Sequence, residues 1–275
     1  MGAIDHLAIA KLGPDDAREG LLLSAEAHWN QNEADWRFFL GHGTVLGIRG
    51  GDGRLIATAA LLPYTVGNAW ISMVLVTATW RRRGLATKLL DVCLDAAAKQ
   101  RLATWLDATP AGAKVYEPLG FTPTLELRRL RFAGSVTAAA PKHASSGSLD
   151  ELIARDRRAM GFDRSGLLGE LGERIGSQLI SRSSAMGLIR DGRTARHIGP
   201  LFADDIASAT ALVEAIMQSE PGPILMDVVS EHQAFLENLT GCGWSIERPF
   251  QRMRFGPATT EDAAPPFAVA GPEYG

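Results

Sequence analysis

The stretch Trp70-Ile-Ser-Met-Val-Leu-Val76, Thr-Ala-Thr-Trp80, Arg81-Arg82-Arg83-Gly84-Leu85-Ala86-Thr87-Lys88 concentrates groups that could bind an anion. An apolar strand runs through a short loop into a long amphipathic helix. Gly84 and Ala86 carry little or no side chain, so their backbone amides can approach a ligand closely. The first turn of a helix has unpaired N–H groups and the positive end of the helix dipole. That combination suits a phosphate or pyrophosphate, and three adjacent arginines add positive charge. The loop lacks the Gly-Lys-Ser/Thr ending of a P-loop and the G-x-G-x-x-G of a dinucleotide turn.

The elements that must position this loop are legible on both sides of it. Pro14-Asp15-Asp16 starts a helix, with Leu21, Leu22, Ala25 and Trp29 at helical spacing, and a short helix follows through Trp36, Phe38, Phe39 and Leu40. Residues 44–49 and 55–63 read as strands joined by the Gly50-Gly51-Asp52-Gly53 turn, and 70–76 as a third. The helix over 84–99 places Leu85, Leu89, Val92 and Ala96 on one face. A strand over 103–107, a short helix over 112–119 ended by Gly120, and a strand over 125–132 complete the first half. Residues 136–148, rich in Ala, Ser and Gly, read as a linker, and 257–275 as a Pro/Ala-rich tail.

Composition limits the classes. The chain has 275 residues, 46% hydrophobic and 21% charged, which fits a globular protein of about two domains. A formal net charge of −3 offers no general attraction to nucleic acid. Cys93 and Cys242 form no Cys-x-x-Cys pair and lie at no metal-ligand spacing, so neither a metal site nor a disulfide framework is expected. The sequence shows no signal peptide and no apolar run of membrane-spanning length, so a cytoplasmic protein without membrane contact is expected.

Arg81-x-x-Gly84-x-Ala86 between an apolar strand and a helix resembles the pyrophosphate motif of the GNAT N-acetyltransferases. Lys114-Val115-Tyr116-Glu117-Pro118-Leu119-Gly120-Phe121 resembles the same family's "LYEKLGF" segment at the expected spacing, with Pro118 as a departure tolerable in a short helix. The resemblance implies acetyl-CoA as acyl donor. It implies that Val74, Leu75 and Val76 pair by backbone with the pantetheine arm, and that the amides from Arg82, Arg83, Gly84, Leu85, Ala86 and Thr87 hold the pyrophosphate. Arg81 and Lys88 would contact phosphates by side chain. Tyr116 would be the general acid toward the departing thiolate, the alternative being a core aromatic against Phe121.

The family varies on the acceptor side. Candidates for binding or deprotonating an amine are Glu26, His28, Glu33 and Asp35 from the first helices, and Asp107 at a strand end. Trp29 and Trp36 bracket Asn30 and Asp35, as an aromatic-walled amine pocket would require; the alternative is core tryptophans with polar helix caps. Thr109 stands where many relatives carry Asn. Acetylation of a primary amine on a small molecule is expected. A non-catalytic acyl-CoA-binding or regulatory module, and a peptide or protein N-acetyltransferase, are the competing readings. The oligomeric state is open between monomer and homodimer.

The second half shares a pattern with the first that reads as an internal duplication, the alternative being two unrelated strand-turn-strand segments. Gly120-Phe121 leading to Arg129-Leu130-Arg131-Phe132 matches Gly243-Trp244 leading to Arg252-Met253-Arg254-Phe255, and Trp105-Leu106-Asp107 matches Leu225-Met226-Asp227. At the place of the Arg-Gly loop stand Asp204 and Asp205, whose carboxylates would repel a pyrophosphate. Asn238 and Leu239, near the Tyr116 position, offer no comparable acid. The expected organisation is α/β (α+β): tandem GNAT-like domains, each a mixed, mainly antiparallel sheet flanked by helices. The first spans 1–135 and is catalytic. The second spans 149–256 and is degenerate, with Asp163 or Arg164 either selecting substrate or forming a capped helix start.

Overall fold

The structure, a computed structural model, describes residues 7–134, 147–220, 222–257 and 264–275. Most of the expected linker and the first part of the tail, like the start of the N-terminus, lie outside the described residues. The chain forms two compact units, Met1–Leu106 with Arg254–Ala258, and Asp107–Met253 with Thr259–Gly275.

The first unit runs β1 (Ile9–Lys11), α1 (Ala17–Glu26), α2 (Glu33–His42), β2 (Thr44–Arg49), β3 (Leu55–Tyr64), β4 (Asn68–Val76), α3 (Leu85–Lys99) and β5 (Ala103–Ala108), which the unit boundary divides. The strands lie in sequence order, antiparallel from β1 to β4, with β5 parallel to β4. On α3 the buried face is Leu85, Leu89, Cys93 and Ala97, an i, i+4 series, with Leu90 beside it, so Val92 faces outward and Ala96 is only half-buried. Burial pushes the Cys93 thiol up to about 12, leaving it inert. Trp36 is wholly buried, its Nε1 donating to Ser24 Oγ (2.9 Å), and it lies against Gly20, where any side chain would collide with the ring.

The second unit continues with α4 (Pro110–Tyr116), β6 (Thr122–Phe132), α5 (Leu149–Met160), α6 (Ser165–Glu173), β7 (Gln178–Arg182), β8 (Ala185–Arg190), β9 (Arg196–Phe202), α7 (Ile206–Ser219), β10 (Ile224–Val229), α8 (Gln233–Gly241) and β11 (Ser245–Phe255), which the unit boundary also divides. Its strand order is β11-β6-β10-β9-β8-β7. The duplicated segments have matching backbones. β6 and β11 are 11 residues each, and each follows a left-handed glycine, Gly120 and Gly243, both at φ 94°.

The duplicated Arg and Asp residues pair crosswise. Arg129 on β6 donates twice to Asp227 on β10 (2.8 and 2.8 Å). Its counterpart Arg252 on β11 donates twice to Asp107 on β5 (2.8 and 2.9 Å). Each arginine thus takes the aspartate of the other repeat. Both pairs are buried and bidentate, the geometry in which such a pair can offset its own desolvation.

Candidate functional site

β4 and β5 pair only over Asn68–Trp70 and Ala103–Trp105. At this closed end, buried Asn68 accepts from Trp105 Nε1 at Oδ1 (2.8 Å), while its Nδ2 donates to the carbonyls of Thr65 (3.3 Å) and Val66 (3.1 Å). Beyond it the strands part. Met73 has φ 52°, and the β3–β4 register shifts opposite it. Buried Thr58 Oγ1 donates to the Met73 carbonyl (2.8 Å), locking the bulge. From Ile71 to Val76, β4 therefore has no strand on its second edge among the described residues, and Val74 and Val76 are half-buried.

The loop after β4 carries its own distortions. Arg82 is at φ 59° and Gly84 at φ 82°, ψ 4°, the latter serving as the N-cap of α3. The first intrahelical bond is Lys88 N to Gly84 O (2.9 Å). The backbone N–H groups of Arg82, Arg83, Gly84, Leu85, Ala86 and Thr87 take no acceptor among the described residues. Arg81 to Gly84 are exposed, and no acidic side chain lies in the first turn. Such an array of donors at a helix start has the geometry to hold an anion. Arg81 Nε donates to the Val76 carbonyl (3.0 Å), Arg83 lies over the Trp80 ring (4.7 Å), and Lys88 Nζ donates to the Leu7 carbonyl (2.7 Å).

Glu26 proves to be part of this loop's support. Its carboxylate accepts from Ala78 N (2.6 Å) and Thr77 Oγ1 (2.7 Å). The Ala78 amide and Thr77 hydroxyl hold its carboxyl below the usual carboxylate range, which suits an anchor and not a base. Sequence spacing carries no sign of this contact.

The other acceptor-side residues are placed as follows. Asp35 and Asn32 form a reciprocal capping box at the start of α2: Asn32 N donates to Asp35 Oδ2 (2.7 Å) and Asp35 N to Asn32 Oδ1 (3.1 Å). With Trp36 in the core, these two follow the alternative of core tryptophan and polar caps. Glu33 pairs with Arg37 (2.5 Å), His28 is exposed at φ 57°, Trp29 is half-buried and Asn30 buried. In the second unit, Asp107 is fully buried on Arg252; burial pushes its carboxyl upward against the pull of that guanidinium.

Tyr116 closes α4 in the second unit. Thr109 caps the helix, its Oγ1 accepting from Gly112 N (3.2 Å). A Cβ on Gly112 would lie 3.1 Å from Tyr116 Cε2, so the glycine gives the ring its seat. The ring stands 5.8 Å from that of Phe121. The hydroxyl takes no hydrogen bond among the described residues, and burial pushes it up to about 12. Tyr116 thus sits beside Phe121, and its hydroxyl has no hydrogen-bond partner among the described residues. In the second repeat Asp205 is the N-cap of α7, accepting from Ser208 N (2.7 Å), while Asp204 pairs with Arg155 (3.1 Å). Asp163 accepts from Ser165 N just before α6 (2.7 Å) and pairs with Arg157 (2.7 Å), and Arg164 pairs with Asp156 (2.7 Å).

Comparison with known proteins adds the lineage. Residues 15–121 match a family model described as "Acetyltransferase (GNAT) family", and residues 152–268 one described as "Acetyltransferase (GNAT) domain". A Bacillus subtilis (strain 168) protein, the uncharacterised N-acetyltransferase YitH, is 25% identical over 255 residues, covering 89% of each chain. Two solved structures share the fold. A Pyrococcus horikoshii protein has a TM-score of 0.80 at 18% identity, over 98% of this chain and 96% of that one. A tandem GNAT protein from the clavulanic acid biosynthesis pathway has a TM-score of 0.62 at 14% identity, over 92% and 100%.

Proposed function

The chain belongs to the GNAT acetyltransferases and is an acyltransferase with two such domains, and from that premise we propose that it moves an acetyl group from acetyl-CoA to a primary amine of a small molecule, with the donor held in the first unit. One observation carries the donor assignment: among the described residues, the amides of Arg82 to Thr87 at the start of α3 take no acceptor and the adjoining edge of β4 has no partner strand. The amides and the exposed arginines hold the pyrophosphate. The edge of β4 at Val74–Val76 takes the amide-bearing arm as an added strand. Acetyl-CoA supplies the activated thioester carbonyl.

Tyr116 donates a proton to the departing sulfur. With its hydroxyl pushed up to about 12, it is protonated throughout the neutral range, so it can serve as an acid and not as the base that frees the amine. The rate should therefore rise with pH as the amine loses its proton, without an alkaline fall from Tyr116 before about pH 11.

The test is thiol release from acetyl-CoA against small diamines, amino sugars and peptides with free N-termini. Turnover of a small amine, and a fall in kcat of about 10²-fold or more in Tyr116→Phe with KM for acetyl-CoA retained, is the expected result. Turnover of peptides alone would move the assignment to peptide acetylation. Acetyl-CoA binding without any turnover would make the chain a binding module.

A further inference from the structure

The second repeat has the same forked strand pair as the first, and the fork is filled. β9 and β10 pair in parallel over Arg196–Ile198 and Ile224–Met226 and then part, as β4 and β5 do. Into the gap runs the segment Phe267–Val269. Leu201 N donates to the Ala268 carbonyl (2.9 Å) and Phe267 N to the Leu201 carbonyl (2.9 Å) on one side. On the other, Val229 N donates to the Phe267 carbonyl (3.1 Å) and Val269 N to the Asp227 carbonyl (3.0 Å). Ala268 bridges antiparallel to both Leu201 and Val228.

The residues that follow are clamped. Glu273 pairs with Arg190 (3.1 Å), the wholly buried Tyr274 lies under the same guanidinium (5.7 Å), and Arg164 donates to the carbonyls of Tyr274 (2.9 Å) and Gly275. Gly199 leaves the space that the Val269 carbonyl oxygen enters.

We propose that the segment Phe267–Gly275 is a built-in ligand of the second repeat, filling with peptide the cleft that the first repeat leaves open for the arm of acetyl-CoA. A pantetheine arm and an extended peptide present the same alternation of amide N–H and C=O, so one edge geometry serves both. The carboxylates of Asp204 and Asp205 stand at the start of α7, where the first repeat has Arg83 and Gly84 at the start of α3, and their negative charge opposes a phosphate competing with the segment. The chain then takes one acetyl-CoA, a stoichiometry that also rests on the donor site proposed for the first unit.

Hydrogen exchange on the full chain tests the occupancy directly. The amides of Leu201, Val229, Phe267 and Val269 should exchange at least about 100-fold more slowly than in a free peptide. Exchange of Phe267 and Val269 at the free-peptide rate overturns the proposal. Deleting residues 265–275 should lower the melting temperature, and a synthetic peptide of those residues should restore it at one per chain; an unchanged melting temperature overturns it.

In case the deletion chain does not fold, Gly199→Val in the full chain tests the same contact. Its side chain would overlap the Val269 carbonyl, so protection at Val269 should fall while β7 and β8 stay protected, and unchanged protection overturns the proposal. Calorimetric titration with acetyl-CoA should give one site per chain, and two sites overturn the proposal. Absence of any binding would instead count against the donor site in the first unit, since exchange and peptide rescue do not involve acetyl-CoA.

Discussion

Gly84 offers a sharp test of the proposed donor site, which would need both its backbone conformation and the amides beside it. It sits at φ 82°, ψ 4°, in the left-handed region, at the N-cap of α3. An L-residue placed there costs about 1–2 kcal/mol. Gly84→Ala can respond in two ways. It can hold the left-handed conformation and bear the strain, or relax to negative φ and swing the Gly84 and Leu85 amides out of line. Relaxation in the bound state would forfeit two charge-assisted hydrogen bonds worth about 1.5–3 kcal/mol each. That exceeds the strain, so the bound loop keeps its shape and the free loop relaxes. The strain is then paid on binding. The Kd for acetyl-CoA should rise about 5–30-fold, since about 1.4 kcal/mol is a factor of ten.

Gly84→Asn is the control, because asparagine tolerates left-handed backbone better than alanine does despite being larger. It should stay within about threefold of the parent chain. Calorimetry with acetyl-CoA, paired with thermal unfolding, reads both terms. If the Gly84→Ala chain matches the parent in affinity and in stability, the strain argument is wrong. If Ala and Asn lose affinity equally, side-chain bulk and not backbone conformation is responsible.

Other substitutions probe the supports. Glu26→Ala should weaken acetyl-CoA binding several-fold with little change in unfolding, because the carboxylate anchors Thr77 and Ala78 at the surface. The Glu26 carboxyl is depressed, so its anchoring is complete above the ordinary value of 4.5 and is lost as pH falls through the lower folded value; parent-like binding by Glu26→Ala would remove the anchor role. Asn68→Ala should cost about 1–3 kcal/mol in urea denaturation by stranding the Trp105 N–H, and a loss under about 0.5 kcal/mol would mean that bond matters little. His197 is pushed down to about 4 by burial, from an ordinary 6.5. Unfolding therefore takes up a proton between these values. The stability it contributes is full above pH 6.5 and is lost as pH falls toward about 4. His197→Gln should flatten that slope, and an unchanged slope would assign it to other groups.

Much of this was readable along the chain. The strand-loop-helix of Trp70 to Lys88 lies where expected, because apolar periodicity and a glycine helix start are local properties of the backbone. The repeat was visible for the same reason: strand length and the left-handed Gly120 and Gly243 are set within a few residues. The short helix before Tyr116 begins at Pro110 and not at Gly112, since Thr109 supplies the cap. β1 went unseen, three residues being too few for a period.

What the sequence determined by itself was the lineage and the strand-loop-helix proposed to bind the donor, both written in contiguous residues. Tertiary structure decided which carboxylates are free to do chemistry. Asp35 is spent on a cap, Glu26 on the loop Thr77–Ala78, and Asp107 on an arginine 145 residues away. It also decided that the segment Phe267–Val269 would fill the fork of the second repeat, which the tail's composition could not foretell. The physical reason is common to all of these. A hydrogen-bonding group has many possible partners along the chain, and only the folded backbone brings one of them within about 3 Å.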